Sequence, residues 1–124
     1  MKKVYFSSDT TNAPLSGAFE VNGTIYVSGQ IHISEGQLKG NTIEEKFDVA
    51  INNVKKILSE AGLSFDDVVR VQLYLTDRSE LPALNKVYGD HFKHPLPART
   101  AISVTALPLN ASLEIDVVAV RPEI

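Results

Sequence analysis

The chain has no cysteine in its 124 residues. Disulfides, thiolate nucleophiles and sulfur-ligated metals are therefore excluded. It has no apolar run long enough to span a bilayer. The opening MKKVYFSSDT turns polar after Phe6 and lacks the apolar core of a signal peptide. It reads instead as a first strand, and a cytoplasmic location is the expectation. Positive charge is scarce: 12 Lys and Arg stand against 15 Asp and Glu, giving a net charge of −3 and a pI near 5.5. No broad basic field is available to track a nucleic-acid backbone, which counts against nucleic acid as a partner. Neither GxxxxGK[ST] nor GxGxxG occurs, so no ATP or NAD is implied. His32, His91 and His94 do not make a metal set. His91 and His94 straddle a predicted helix end with no third ligand near in sequence.

What is present fits one globular domain, residues 1–124, with no repeat, low-complexity tract or linker. Hydrophobic residues make up 44% and charged residues 22%, and a chain of this size can bury a sizeable core. KKVYFS is β-prone, and APLSG (13–17) is a turn or loop. AFEVNGTIYVSGQI (18–31) reads as two strands about Asn22-Gly23, a favoured tight hairpin turn. HISEGQLKGN (32–41) reads as a polar loop.

The segment 42–62 is the clearest helix. Ile43, Phe47, Ala50, Ile51, Val54, Ile57, Leu58 and Ala61 form one apolar stripe. Thr42 with Glu45 fits a capping box, and Gly62 suits the left-handed residue that ends a helix. In 67–77, alternation places Val69, Val71, Leu73 and Leu75 on one face, with Arg70, Gln72, Tyr74 and Thr76 on the other. A second helix is expected over about 79–92, with Ser79 as N-cap and Pro82 in its first turn. ARTAISVTA and SLEIDVVAVR supply the last two strands, joined by LPLNA.

The predicted order is β-β-β-α-β-α-β-β, an α+β fold. Two amphipathic helices cover only one face of so wide a sheet. The other face is expected to carry Arg70, Gln72, Tyr74, Ser103, Glu114 and Asp116 together with Val118 and Val120. That surface is too apolar to be simply wet and too polar to be a core, which points to burial against another subunit.

Several residues are candidates for chemistry. Arg99, at the mouth of a strand after the stiff HPLP lead-in, offers a planar fork that binds a carboxylate bidentately. Taken alone, a solvated surface arginine is the commoner case. Glu114 and Asp116 share one strand face, where two carboxylates suit general acid–base work. A plain charged face is the simpler alternative until burial demands partners for them. Ser28 precedes Gly29, which permits close backbone approach, but it lacks the setting of a nucleophile elbow. Asn85 is an amide among better helix formers, with a ligand contact and a structural role equally open.

YVSGQI, FDVAINNVKKILSEAG, VVRVQLYLTD, LNKVYGDHF, PARTAISVTALP and LEIDVVAVR stand in the order found in the Rid family, the reactive intermediate deaminases also called YjgF or L-PSP endoribonucleases. The sequence resembles that family over nearly its whole length. The resemblance implies a chorismate-mutase-like α+β fold and a homotrimer whose sheets form a central barrel, with ligand clefts between subunits. It implies hydrolysis of 2-imino acids or their enamine tautomers, such as 2-aminoacrylate and 2-iminobutanoate, to 2-keto acids and ammonia without a cofactor. Arg99 matches the arginine that grips the substrate carboxylate, and Glu114 the glutamate that orients water. Ser28, Gly29 and Asn85 match pocket positions, and Ala101 falls where many members have cysteine. Leu15 stands where many deaminases of the family have a pocket tyrosine. That change removes a hydroxyl and adds an apolar wall, so a slowed reaction or a shifted substrate is expected. The alternatives are a trimeric sensor of 2-keto acids and, less consistent with the acidic charge, an endoribonuclease.

Overall fold

The computed structural model describes residues 1–5 and 13–123. Six strands form one mixed sheet: β1 (Lys2–Tyr5), β2 (Ala18–Val21), β3 (Thr24–Ile31), β6 (Val68–Leu75), β7 (Ala98–Ser103) and β8 (Leu113–Val120). Between β3 and β6 come β4 (Ile33–Ser34), β5 (Gln37–Leu38) and helix α1 (Ile43–Glu60). Helix α2 (Leu81–Tyr88) connects β6 to β7. The sheet order is β1-β2-β3-β8-β6-β7. All neighbours are antiparallel except β6 and β7, which are parallel and need the α2 crossover between them. This is the α+β architecture expected, with one addition: the polar stretch 32–41 contains the small β4–β5 hairpin.

Local sequence explains the turns that frame it. Asn22 and Gly23 both adopt positive φ, 51° and 84°, as a two-residue hairpin turn of the favoured hand requires. The Thr42 side chain accepts from the Glu45 amide while Glu45 reaches back to the Thr42 N–H, completing the capping box. At the other end of α1, Gly62 has φ +76°. Leu63 N–H then bonds Leu58 O at 2.8 Å and Gly62 N–H bonds Ser59 O at 3.0 Å. These two bonds satisfy carbonyls that the helix end leaves open.

The core lies between the helices and one face of the sheet. Phe47, Ile51, Val54, Ile57 and Leu58 of α1 and Leu84 of α2 meet Ile25, Val71, Leu73, Leu75, Ile115 and Val117 of the strands. Each such side chain taken out of water stabilises the fold by about 1.5–3 kcal/mol before entropy is charged against it.

The structure corrects several local expectations. Val69 is 47% exposed and Val68 is 6% exposed, because β6 bulges against β8: Val68 faces Ala119, Arg70 faces Val118, and Val69 is the extra residue. Strand β7 stops at Ser103, and its parallel register sets Ser103 beside Leu75, on the helix side rather than with Glu114. Helix α2 is shorter than 79–92. Asp77, not Ser79, caps the turn before it, accepting from the Ser79 amide at 3.0 Å. No helix among the described residues is long and apolar enough to cross a membrane.

Candidate functional site

The expected site residues fall into two groups, one on each face of the sheet. On the helix-free face Glu114 projects from β8, since Leu113 and Ile115 on either side point into the core. It sits over Gly29. Between Val27 and Gln30 the pairing of β3 with β8 shifts register, and Ser28 and Gly29 occupy that irregularity. A methyl group on Gly29 would collide with the Glu114 carboxylate, so the absence of a side chain there creates the space that Glu114 fills. Gln30, buried, braces the bulge by donating from Nε2 to Ser28 O at 3.0 Å. Sequence reasoning missed this amide. Its only signal was a glutamine inside an otherwise apolar strand.

The Ser28 hydroxyl donates to Ser16 O at 2.7 Å, and the Ser28 amide donates to Gly17 O at 2.9 Å. These bonds tie the 13–17 loop, with the exposed Leu15, to the same corner as Gly29 and Glu114. Ser28 therefore spends its proton on the backbone and is not poised as a nucleophile. A hollow of about 290 Å³ opens beside it, lined by Ser16, Ala18, Phe19, Tyr26, Val27 and Ser28.

Burial pushes the Glu114 carboxyl above the usual carboxylate range, and the negative charge of Asp116 adds to the shift. The Glu114 side chain makes no hydrogen bond to the described residues. Asp116 is likewise raised by burial, opposed by Tyr74 and Arg70. The Tyr74 hydroxyl donates to Gln72 Oε1 at 3.0 Å, and Arg70 donates to Thr100 Oγ1 at 2.9 Å. Asp116 thus lies in a polar strip with Tyr74 and Arg70, while the Glu114 carboxyl holds its proton to higher pH than a solvated one.

The second group lies on the helix side, at the sheet edge. The register pairs Val71 with Arg99 and Leu73 with Ala101, so both β7 residues face the same way as the core residues of β6. The Arg99 guanidinium carbon lies 4.8 Å from the centre of the Tyr88 ring. Asn85 is exposed on α2, one turn before Tyr88. The approach to Arg99 contains a cis His94–Pro95 bond.

The three histidines are placed apart from both groups. His32 is buried, with Nδ1 2.9 Å from Lys39 O and Nε2 accepting from the Ser112 amide at 3.1 Å. His91 lies 3.4 Å from Asp48 and packs against Phe47 and Phe65, and His94 is exposed. A larger cleft, about 550 Å³, lies outside α1, with Lys39, Asp48, Lys55, Phe65 and His91 among its walls. It holds none of the residues with the chemistry described above.

A mixed sheet with two helices on one face, an edge arginine and a half-buried carboxylate on the opposite face define an α+β protein of the YjgF type. The model of the endoribonuclease L-PSP family matches residues 7–121, and the chain belongs to that family, also known as the Rid proteins. A RutC family protein from Aquifex aeolicus is 43% identical over 112 residues, covering 87% of this chain and 89% of that protein. The human 2-iminobutanoate/2-iminopropanoate deaminase is 39% identical over 110 residues, 87% of this chain and 80% of that one. The crystal structure of yeast Mmf1 superimposes with a TM-score of 0.93 at 34% identity, covering 98% of this chain and all (100%) of that one.

Proposed function

We propose that this protein hydrolyses 2-imino acids, or their enamine tautomers, to 2-keto acids and ammonia. The observation that carries the reading is Glu114: a half-buried carboxyl group with a raised pKa, set in the space over Gly29, on a face with no helix cover. The similarity to named 2-iminobutanoate/2-iminopropanoate deaminases supports the same chemistry.

In this mechanism Arg99 grips the substrate carboxylate with its planar fork, which removes orientational freedom before reaction. Glu114 accepts a proton from water as the water oxygen bonds to the imine carbon. The C=N π electrons move to nitrogen, which takes up a proton. The resulting carbinolamine then collapses: the C–N bond breaks, ammonia leaves, and the C=O of the keto acid forms as the hydroxyl gives up its proton. Glu114 relays two protons in turn from oxygen to nitrogen, one from water during attack and one from the hydroxyl during collapse, so that nitrogen leaves as ammonia. Leu15, Ser28 and Gly29 border the water side, and Asn85 and Ala101 the carboxylate side. Leu15 makes the wall apolar and directs preference toward substrates with an apolar side chain.

Arg99 and Glu114 face opposite sides of one sheet, so a cleft containing both requires residues from two copies. A homotrimer with the helix-free faces packed inward as a barrel supplies three such clefts. Exposed Val4, Phe19, Tyr26, Ile102 and Val120 suit that burial. The test generates 2-aminoacrylate or 2-iminobutanoate with a dehydratase and follows keto-acid formation after this protein is added. Acceleration is expected, abolished by Arg99→Ala and reduced about 10²–10⁴-fold by Glu114→Ala. Equal rates for wild type and Arg99→Ala would refute the reading, and a monomer by sedimentation at micromolar concentration would remove the shared cleft.

A further inference from the structure

We infer that Tyr88 is a positioning residue: its ring holds the Arg99 guanidinium in place at the sheet edge, leaving the fork free to meet a carboxylate. The inference rests on the reading of Arg99 as a carboxylate ligand, and it names what makes that ligand ready.

Arg99 is on an edge strand with its side chain exposed, and that side chain makes no hydrogen bond or ion pair to the described residues. An arginine so placed samples many rotamers, and a ligand must stop that motion on binding. The one close partner it has is a ring face, 4.8 Å from the guanidinium carbon. A ring face attracts a guanidinium by its charge and does not occupy the edge of the fork, so this contact does not compete with a bidentate carboxylate. A carboxylate partner from this chain would have fixed Arg99 equally well but would have occupied the fork.

The platform is itself immobile. Tyr88 is 7% exposed and stacks on Phe92 with ring centres 4.6 Å apart and planes 25° from parallel. Phe47 of α1 tilts against it at 6.1 Å. Tyr88 thus links the aromatic core beneath α2 to the Arg99 guanidinium. The Tyr88 hydroxyl is buried and has no hydrogen-bond partner among the described residues. Burial raises its pKa, so it stays protonated and places no negative charge beside Arg99. The ring does the positioning and the hydroxyl does not, which makes Phe a silent replacement.

The experiment has a ligand-free arm and a kinetic arm. In ¹⁵N-labelled protein the Arg99 Nε–Hε resonance, assigned with Arg99→Lys, is expected upfield of that of Arg78, because it lies over a ring face. Tyr88→Phe keeps the shift and Tyr88→Leu abolishes it. In the kinetic arm Tyr88→Leu raises KM about two- to fivefold, the worth of an exposed cation–π contact, with kcat within about twofold. Tyr88→Phe restores wild-type KM. A wild-type Arg99 resonance at the position of Arg78, an unchanged KM in Tyr88→Leu, or a Tyr88→Phe that behaves like Tyr88→Leu would each overturn the inference. If Tyr88→Leu does not fold, the wild-type resonance and Tyr88→Phe still decide it. Absence of turnover in wild type would sink the deaminase reading alone. Titration with 2-oxobutanoate, followed at the Arg99 resonance, reads the clamp without chemistry, and weaker binding by Tyr88→Leu is the outcome expected there.

Discussion

The two faces of the sheet are built from the same strands to opposite ends. Along β8, Leu113, Ile115, Val117 and Ala119 point toward the helices and are almost fully buried. Glu114, Asp116 and Val118, interleaved with them, are only half-buried. Along β8 the helix side is uniformly apolar because those positions answer one demand, removal of apolar surface from water. The other side mixes carboxylates, a tyrosine and a glutamine with Phe19, Tyr26, Ile102 and Val120. The core side fixes the strands, and the strands present their carboxylates on the side the helices leave open. Arg99 is a charged group on the helix side, and it lies at the sheet edge against the Tyr88 ring.

The strongest way to break this comparison is complementation. If Arg99 and Glu114 meet only across two copies, co-expressing the inactive Arg99→Ala and Glu114→Ala chains restores about one quarter of the sites in random trimers. Turnover by the purified mixture measures this, and no recovery would mean that no shared cleft exists. Next in size is Gly29→Ala. The added methyl displaces the Glu114 carboxylate, so turnover is expected to fall roughly ten- to a hundredfold. The displaced atoms are the end of a flexible side chain, so the urea midpoint should move little, and a large stability loss with full activity would contradict this geometry.

Smaller effects come from pH. Glu114 has a raised pKa in the folded chain, so its contribution to stability is present at low pH and lost as pH rises through that value. Glu114→Gln should flatten this fall and gain on wild type above it, measured by Tm across pH, while abolishing the acidic limb of the activity profile. The smallest effect belongs to His32, whose pKa burial lowers from 6.5, with Lys46 adding to the shift and the Lys39 carbonyl opposing it. Its contribution is complete above about pH 6.5 and is lost as pH falls toward its folded value, because protonation turns Nε2 from acceptor to donor against the Ser112 amide. His32→Gln should remove this acid-side slope, and an unchanged slope would show that another group titrates there.

Much of the fold was legible because its signals are local. Thr42, Glu45 and Gly62 mark the ends of α1, and its apolar stripe marks its buried face. Asn22-Gly23 specifies its hairpin through backbone preference alone. The misplacements share one cause. Val69 follows the alternation of its strand, yet a bulge turns it outward, and a bulge is defined by two residues opposing one on a neighbouring strand. Ser103 faces the helix side, against expectation, because nothing inside ARTAIS states its parallel register against β6. The same holds for Gln30, whose brace exists only once Ser28 and Gly29 break the ladder.

The sequence by itself determined the helix with its caps, the hairpin, the alternating strands, and the presence of an arginine and a glutamate of the right chemical types. It also supplied the family, through the combination PARTAIS with LEIDVV. Only the tertiary structure decided that Glu114 sits over Gly29, that Arg99 rests on Tyr88, and that the two point to opposite sides. Those relations depend on strand register and crossover path, which are set by long-range pairing and packing. A local pattern specifies what a residue can do, and the pairing of distant strands determines what it faces.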